Sequence, residues 1–191
     1  MKGIWKFKAY WEGDEDYIGC ESNLLVVPVG VETGRAIIVG GGEAGQEATE
    51  YWRVTRKLTA DVYRQFKKKG FSNDMIYFMI DSQDMDINYD GDPDGVVDES
   101  QPTVSGLLDA IVNEFSKELD EDTPLCIYMQ GHGTDDGRFK VLGSDEFVSA
   151  DQIGDALDRL QGAGAYEGQE GCNCKVILIL ESCYSGSCIE D

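Results

Sequence analysis

Four short, almost wholly apolar runs constrain this chain most: Ala36–Val39, Met75–Ile80, Leu125–Met129 and Val176–Leu180. Runs of this length that do not alternate with polar residues read as strands buried on both faces. Amphipathic helical patterns lie between them. From about Glu43 to Lys69, Trp52, Leu58, Val62 and Phe66 fall near helical spacing, and Lys67–Lys69 with Gly70 form a stop. Thr103 can cap a helix carrying Leu107, Leu108, Ile111, Val112 and Phe115. Ser149 can cap another with Ile153, Ala156, Leu157 and Leu160, and Arg138–Leu142 reads as a small extra strand. Strand–helix alternation of this kind predicts an α/β protein, a three-layer α-β-α sandwich around a mainly parallel sheet.

The regular pattern begins at about residue 34. Residues 1–33 read as an aromatic, acidic N-terminal extension with two strand-like pieces, Ile4–Trp11 and Asn23–Val31. With 191 residues and 41% hydrophobic content, the chain has enough apolar surface for a core in the 34–191 domain. Its formal charge of −21 excludes nucleic-acid binding through a broad basic patch, since phosphates would be repelled. No apolar run approaches the roughly 20 residues of a membrane-spanning helix. Met-Lys-Gly-Ile-Trp-Lys lacks the apolar stretch of a signal peptide, which points to the cytoplasm unless Met1 is not the natural start.

The six cysteines form no paired CxxC units and one His is present, which argues against a structural zinc site. Cys126, in an apolar run, reads as a small buried hydrophobe. Cys172 and Cys174 flank a single residue; a bond between them would be strained, and pairing elsewhere stays open.

In parallel sheets active residues gather at the carboxyl ends of strands. Gln130-Gly131-His132-Gly133 follows the third apolar run, and Glu181-Ser182-Cys183-Tyr184-Ser185-Gly186 follows the fourth. If the two strands are neighbours, His132 and Cys183 meet at one sheet edge. A thiolate attacks carbonyl carbon, and a nearby imidazole lowers the thiol pKa and protonates the leaving amine. The flanking glycines let a peptide approach closely and leave N–H groups for an oxyanion. The alternative, an unrelated turn His and strand-end Cys, is weakened because both follow apolar strands and both sit beside Gly. Gly40-Gly41-Gly42 could in principle cradle phosphate, but no Walker Lys or GxGxxG accompanies it.

From about Arg35 to Ser187 the chain resembles cysteine peptidases of the caspase–hemoglobinase fold: legumain, caspase, metacaspase, gingipain and clostripain relatives. The shared signature is an apolar strand ending in His-Gly and a second ending in an acid, a small residue and the catalytic Cys. Here these are Leu125–Met129 with His132-Gly133, and Val176–Leu180 with Glu181-Ser182-Cys183. The separation of 51 residues (183 − 132) matches the caspase His-to-Cys distance. Glu-Ser-Cys-Tyr-Ser-Gly-Ser is most similar to bacterial legumain-like members. The resemblance implies a cysteine endopeptidase with Cys183 as nucleophile and His132 as general acid/base. Gly133 and Cys183 N–H would form the oxyanion hole. Glu181 would line the pocket for the residue before the cleaved bond, favouring Arg, Lys or Asn. It also implies a peptide or protein substrate and, by analogy with bacterial relatives, an extracellular or cell-surface setting. The competing class is a non-catalytic calcium-binding adhesion or scaffold module that keeps the fold.

Two departures accompany the resemblance. Legumain has an Asn that orients the His, whereas here that region is Gly40-Gly41-Gly42, leaving a dyad. Family members also continue past the point where this chain stops, eight residues after Cys183, with strands that complete the pocket. The expectation is a domain incomplete on its C-terminal side, with a downstream polypeptide as a possible partner. Val176–Leu180 would then show an unpaired edge.

Asp81–Glu99 holds eight acids and no base in 19 residues. Asp86, Asn88, Asp90, Asp92 and Asp94 place oxygen ligands on alternate residues, with Gly91 for a sharp turn, as in the first half of a calcium loop. Val97 stands where an EF-hand has its Glu. Mutual repulsion of these carboxylates favours a structural Ca²⁺ over a merely solvated loop. The peptidase chemistry itself calls for no cofactor.

Overall fold

The computed structural model describes residues 3–8, 10–13, 18–21, 25–29, 34–42, 50–142, 146–162 and 171–188. The chain divides into two compact units, Met1–Thr33 and Gly34–Asp191. The first holds two antiparallel pairs: β1 (Gly3–Phe7) with β4 (Leu25–Val29), and β2 (Tyr10–Gly13) with β3 (Ile18–Glu21). The sequence predicts one strand across Ile4–Trp11, but this breaks into two strands with different partners. β3 has no apolar alternation that would announce it. The Asn23 and Val31 ends of the second expected strand lie outside the described residues.

The second unit is mixed α/β around a four-stranded parallel sheet. Its strands are β5 (Arg35–Gly40), β6 (Ile76–Ile80), β7 (Leu125–Gln130) and β10 (Val176–Glu181), in the order β10-β7-β5-β6. Successive residues of a strand point to opposite faces, and the core follows that rule. Ala36 and Ile38 join Phe78, Ile80 and Tyr128 in one buried cluster, while Ile37 and Val39 join Met79, Ile127 and Met129 in the other. Each fully buried side chain of this size contributes roughly 1.5–3 kcal/mol.

Helix α1 (Glu50–Lys68) covers the first cluster with Trp52, Thr55, Thr59, Ala60, Tyr63 and Phe66. The expected start at about Glu43 lies outside the described residues, which exclude 43–49. Leu58 and Val62 are half-buried rather than central, because the helix turns a threonine stripe inward. Thr59 tolerates burial by donating its hydroxyl to Thr55 O at 2.8 Å. The expected stop is present: Gly70 adopts φ 95°, after Lys67 and Lys68 in the last turn.

The second cluster lies under α2 (Val104–Asp109), its continuation as a π-helical turn (Ala110–Glu114), and α3 (Ala150–Gln161). Thr103 caps α2 by accepting from Gly106 N, and Ser149 forms a full capping box with Gln152. The hairpin β8 (Arg138–Leu142) and β9 (Glu146–Ser149) packs Phe139, Val141 and Val148 into this cluster. β9 is not evident in the sequence. Glu146 explains its placement, since its carboxylate accepts from Val104 N at 2.7 Å at the start of α2.

The two sheet edges differ. At β6 the acidic loop folds back, with Ile80 N donating to Glu99 O at 3.0 Å and Phe78 N to the Asp98 carboxylate at 2.8 Å. β10 has no second strand beside it among the described residues, and Leu178 is 40% exposed. Cys172 and Cys174, before β10, are disulfide-bonded to each other. Among the described residues no helix is long and apolar enough to cross a membrane.

Candidate active site

Register sets the site. β7 and β10 are adjacent and parallel, with Gln130 opposite Glu181. His132 and Cys183 each stand two residues beyond that pair, so the expected juxtaposition of the two loops is present. Gly131 N donates to Glu181 O at 3.2 Å, tying the loops together at their base. One step further, Gly133 lies directly against the Cys183 backbone. A Cβ placed there would fall 1.9 Å from Cys183 O and 2.9 Å from Ser182 Oγ. Only glycine permits this approach.

The backbone of the His132 loop is held from its other side. Gly133 forms an antiparallel bridge with Phe139, built from Lys140 N donating to His132 O and Thr134 N donating to Arg138 O, each at 2.9 Å. In such a bridge the central residue's own N–H is not consumed. Neither Gly133 N–H nor Cys183 N–H has a hydrogen-bond partner among the described residues. Two donors beside an exposed thiol are the parts an oxyanion site needs.

Cys183 is a free, exposed thiol. The next residue, Tyr184, takes φ 57°, a left-handed conformation that costs a non-glycine residue about 1 kcal/mol or more. This turn carries the chain sharply off the end of β10 and into a short 3₁₀ turn, Ser185–Cys188. The other free thiol, Cys126, is half-buried within β7, and burial pushes its pKa up to about 12. It stays a neutral thiol, as its apolar surroundings predict.

Three residues not singled out by the sequence complete the cluster. Tyr51, in the first turn of α1, stacks on the His132 ring with centroids 3.7 Å apart and planes 15° from parallel. Burial, then the neighbouring Cys183, raise its phenol to about 12; Glu181 adds to this, while Thr55 and Gln130 oppose it. Among the described residues, Gln130 Oε1 and Thr55 Oγ1 are buried and make no hydrogen bond of normal geometry, although both act on that phenol. Tyr128, 6% exposed, donates its hydroxyl to the Glu181 carboxylate. Burial and that carboxylate together push the Tyr128 phenol far upward. Glu181 itself is exposed rather than buried, with one oxygen fixed by Tyr128 and its other side open. A hydroxyl-bearing aromatic in the otherwise aliphatic β7 was the available signal for Tyr128. Tyr51 follows a glycine-rich loop at a helix start, which by itself signals little.

The acidic loop is a chain of side-chain-to-backbone turns. The Asp86 carboxylate accepts from Asp90 N and Gly91 N at 3.2 and 2.9 Å, Asn88 Oδ1 accepts from Asp90 N at 2.9 Å, and Asp90 accepts from Asp92 N at 3.0 Å. Asp94 accepts from Ile87 N at 2.6 Å and from Asn88 Nδ2 at 3.1 Å. Tyr89 and Gly91 take positive φ values of 62° and 97°, the sharp turn expected at this point. Among the described residues no three His, Cys, Asp or Glu side chains converge in a metal-holding group. The five expected ligands thus share a loop, with side-chain oxygens of Asp86, Asn88, Asp90 and Asp94 drawn to backbone N–H groups.

No protein-family model matches the sequence, and no curated protein matches it.

Proposed function

We propose that this chain is a cysteine endopeptidase with the caspase–hemoglobinase arrangement of its sheet. The observation that carries the reading is the contact of Gly133 with the Cys183 backbone across two adjacent, in-register parallel strands. The reading is supported by the only His, an exposed thiol and two N–H groups without a hydrogen-bond partner among the described residues, all at the carboxyl end of the sheet. A chance His and Cys would not require a glycine at their junction.

The chemistry follows from those groups. The thiolate of Cys183, paired with the protonated imidazole of His132, attacks the peptide carbonyl carbon. The carbonyl π electrons move to oxygen, which the N–H groups of Gly133 and Cys183 receive. Collapse of this intermediate breaks the C–N bond, and His132 gives its proton to the departing amine. Water then attacks the thioester, His132 accepts its proton, and the thiol is released with the carboxylic acid. Glu181, held by Tyr128 and open on its other side, favours a cationic or amide side chain before the cleaved bond: Arg, Lys or Asn. The acidic loop we propose as a structural calcium site, in which the cation replaces part of the N–H network and relieves carboxylate repulsion.

The test is cleavage of a peptide library by the full chain and by its Cys183→Ala and His132→Ala variants. Cleavage after Arg, Lys or Asn that disappears in Cys183→Ala and falls by roughly 10³-fold or more in His132→Ala supports the reading. Cleavage that persists in Cys183→Ala, or a profile dominated by Asp, contradicts it.

A further inference from the structure

We propose that Tyr51 is the positioning residue for His132, its ring face fixing the imidazole plane and favouring the protonated ring. The inference rests on the peptidase reading and deepens it by naming what orients the base. Gly40-Gly41-Gly42, at the end of β5, offers no side chain at these three positions where the legumain relatives have an orienting Asn. The stack itself is close and nearly parallel, at 3.7 Å and 15°. Contact of this kind leaves the imidazole able to slide little and tip less, while a face-on stack leaves its nitrogen-bearing edges uncovered by the tyrosine ring.

Tyr51 is well anchored for this task. It sits in the first turn of α1, and the next residue, Trp52, is 3% exposed and packed where a Cβ on Gly42 would come within 2.5 Å of its ring. The phenol end lies in the field of Glu181, the last residue of β10, and of Cys183 in the turn beyond it, and beside Gln130 and Thr55. Burial first, then the neighbouring Cys183 and Glu181, raise the phenol above its ordinary value, so the ring is neutral and offers its electron-rich face rather than an anion. An aromatic face attracts an imidazolium more than a neutral imidazole. Tyr51 therefore shifts the Cys183–His132 pair towards thiolate and imidazolium, the reactive form.

His132 is the only histidine, so its Hε1 and Hδ2 proton resonances identify themselves. The experiment compares the full chain with its Tyr51→Phe and Tyr51→Leu variants. It reads the chemical shifts and titration of those two protons, and the rate of Cys183 alkylation by iodoacetamide below neutral pH. Tyr51→Leu preserves apolar bulk, so a folded variant is available without the aromatic face. The expected result is upfield ring-current shifts in wild type and Tyr51→Phe that vanish in Tyr51→Leu. The imidazole should titrate at lower pH in Tyr51→Leu, and alkylation should slow by roughly three- to tenfold, with Tyr51→Phe close to wild type. Wild-type shifts, titration and rate in a folded Tyr51→Leu overturn the proposal. The peptidase reading fails separately: a chain that shows the ring-current pattern but hydrolyses no peptide keeps the stack and loses the enzyme.

Discussion

Replacing Gly133 by Ala perturbs the junction on which the site depends. The new methyl carbon would stand 1.9 Å from Cys183 O and 2.9 Å from Ser182 Oγ, against the 3.0 Å below which real Cβ atoms essentially never approach a heavy atom. The carbonyl shortfall exceeds 1 Å and involves backbone on both sides, so no side-chain rotation relieves it. Either the His132 loop or the turn at Cys183 must move by about that distance. Overpacking of this kind costs about 1–3 kcal/mol, which lowers Tm by roughly 2–12 °C for a unit of this size. The chemical loss is larger. A displacement near 1 Å costs about 10²-fold, and misaiming an oxyanion donor costs 10²–10³-fold, so kcat/KM should fall by roughly 10²–10⁴. Two controls separate the effects. Gly41→Ala also collides with backbone, 2.2 Å from Lys140 O, but does not touch Cys183; Gly186→Ala meets nothing within 4 Å. Steady-state hydrolysis and thermal unfolding of the three variants are the assay. Gly133→Ala should lose far more activity per degree of Tm than Gly41→Ala, and Gly186→Ala should resemble wild type. A Gly133→Ala variant with activity within about threefold of wild type would refute the reasoning.

Calcium should raise Tm by roughly 5–10 °C at a hundredfold excess over its Kd, and Asp86→Asn with Asp90→Asn should remove the effect; a Tm unmoved by calcium or chelator leaves the loop a hydrogen-bonded turn. Glu181→Gln should lower kcat/KM for substrates with Arg or Lys before the cleaved bond by about tenfold and spare Asn substrates, as a profile of paired peptides would reveal. Alkaline pH should destabilise the fold through its buried phenols, of which Tyr128 is held furthest above its ordinary value. Tyr51 and Tyr63 are both held at about 12 against 10 in the unfolded chain, chiefly by burial. Their contribution is complete below pH 10 and is lost as pH climbs towards 12, so denaturation midpoints should fall across that interval and fall less in Tyr63→Phe.

The sheet and its flanking helices were legible because each buried strand is a short apolar run and α2 and α3 each start at a capping residue. Thr103 and Ser149 both cap as their sequence context predicts. β9 and β3 were not legible, since Glu146–Ser149 and Ile18–Glu21 are neither apolar runs nor cleanly alternating, although each pairs with the strand just before it. On the inward face of α1, Trp52 and Phe66 are buried as their spacing predicts, whereas Leu58 and Val62 are half-buried and Thr55 and Thr59, polar in sequence, take the buried places, Thr59 by bonding back to Thr55 O. At the site, His132, Gly133, Glu181 and Cys183 stand out because they punctuate strand ends. Tyr51 does not, since nothing local distinguishes it. Its role is a matter of which helix turn meets which strand end, and only the fold brings α1 to the His132 loop.

The most direct measurement of the central claim is covalent labelling by a peptidyl acyloxymethyl ketone bearing Arg at its reactive end. The chain holds its own reference in Cys126, another free thiol of the described residues, kept neutral by burial. Intact mass followed by peptide mapping should give one adduct, on Cys183, formed at least about 10²-fold faster than with a non-peptidic electrophile of equal intrinsic reactivity. His132→Ala should abolish that preference. Labelling of Cys183 no faster than a free thiol, or labelling indifferent to His132, would contradict the account.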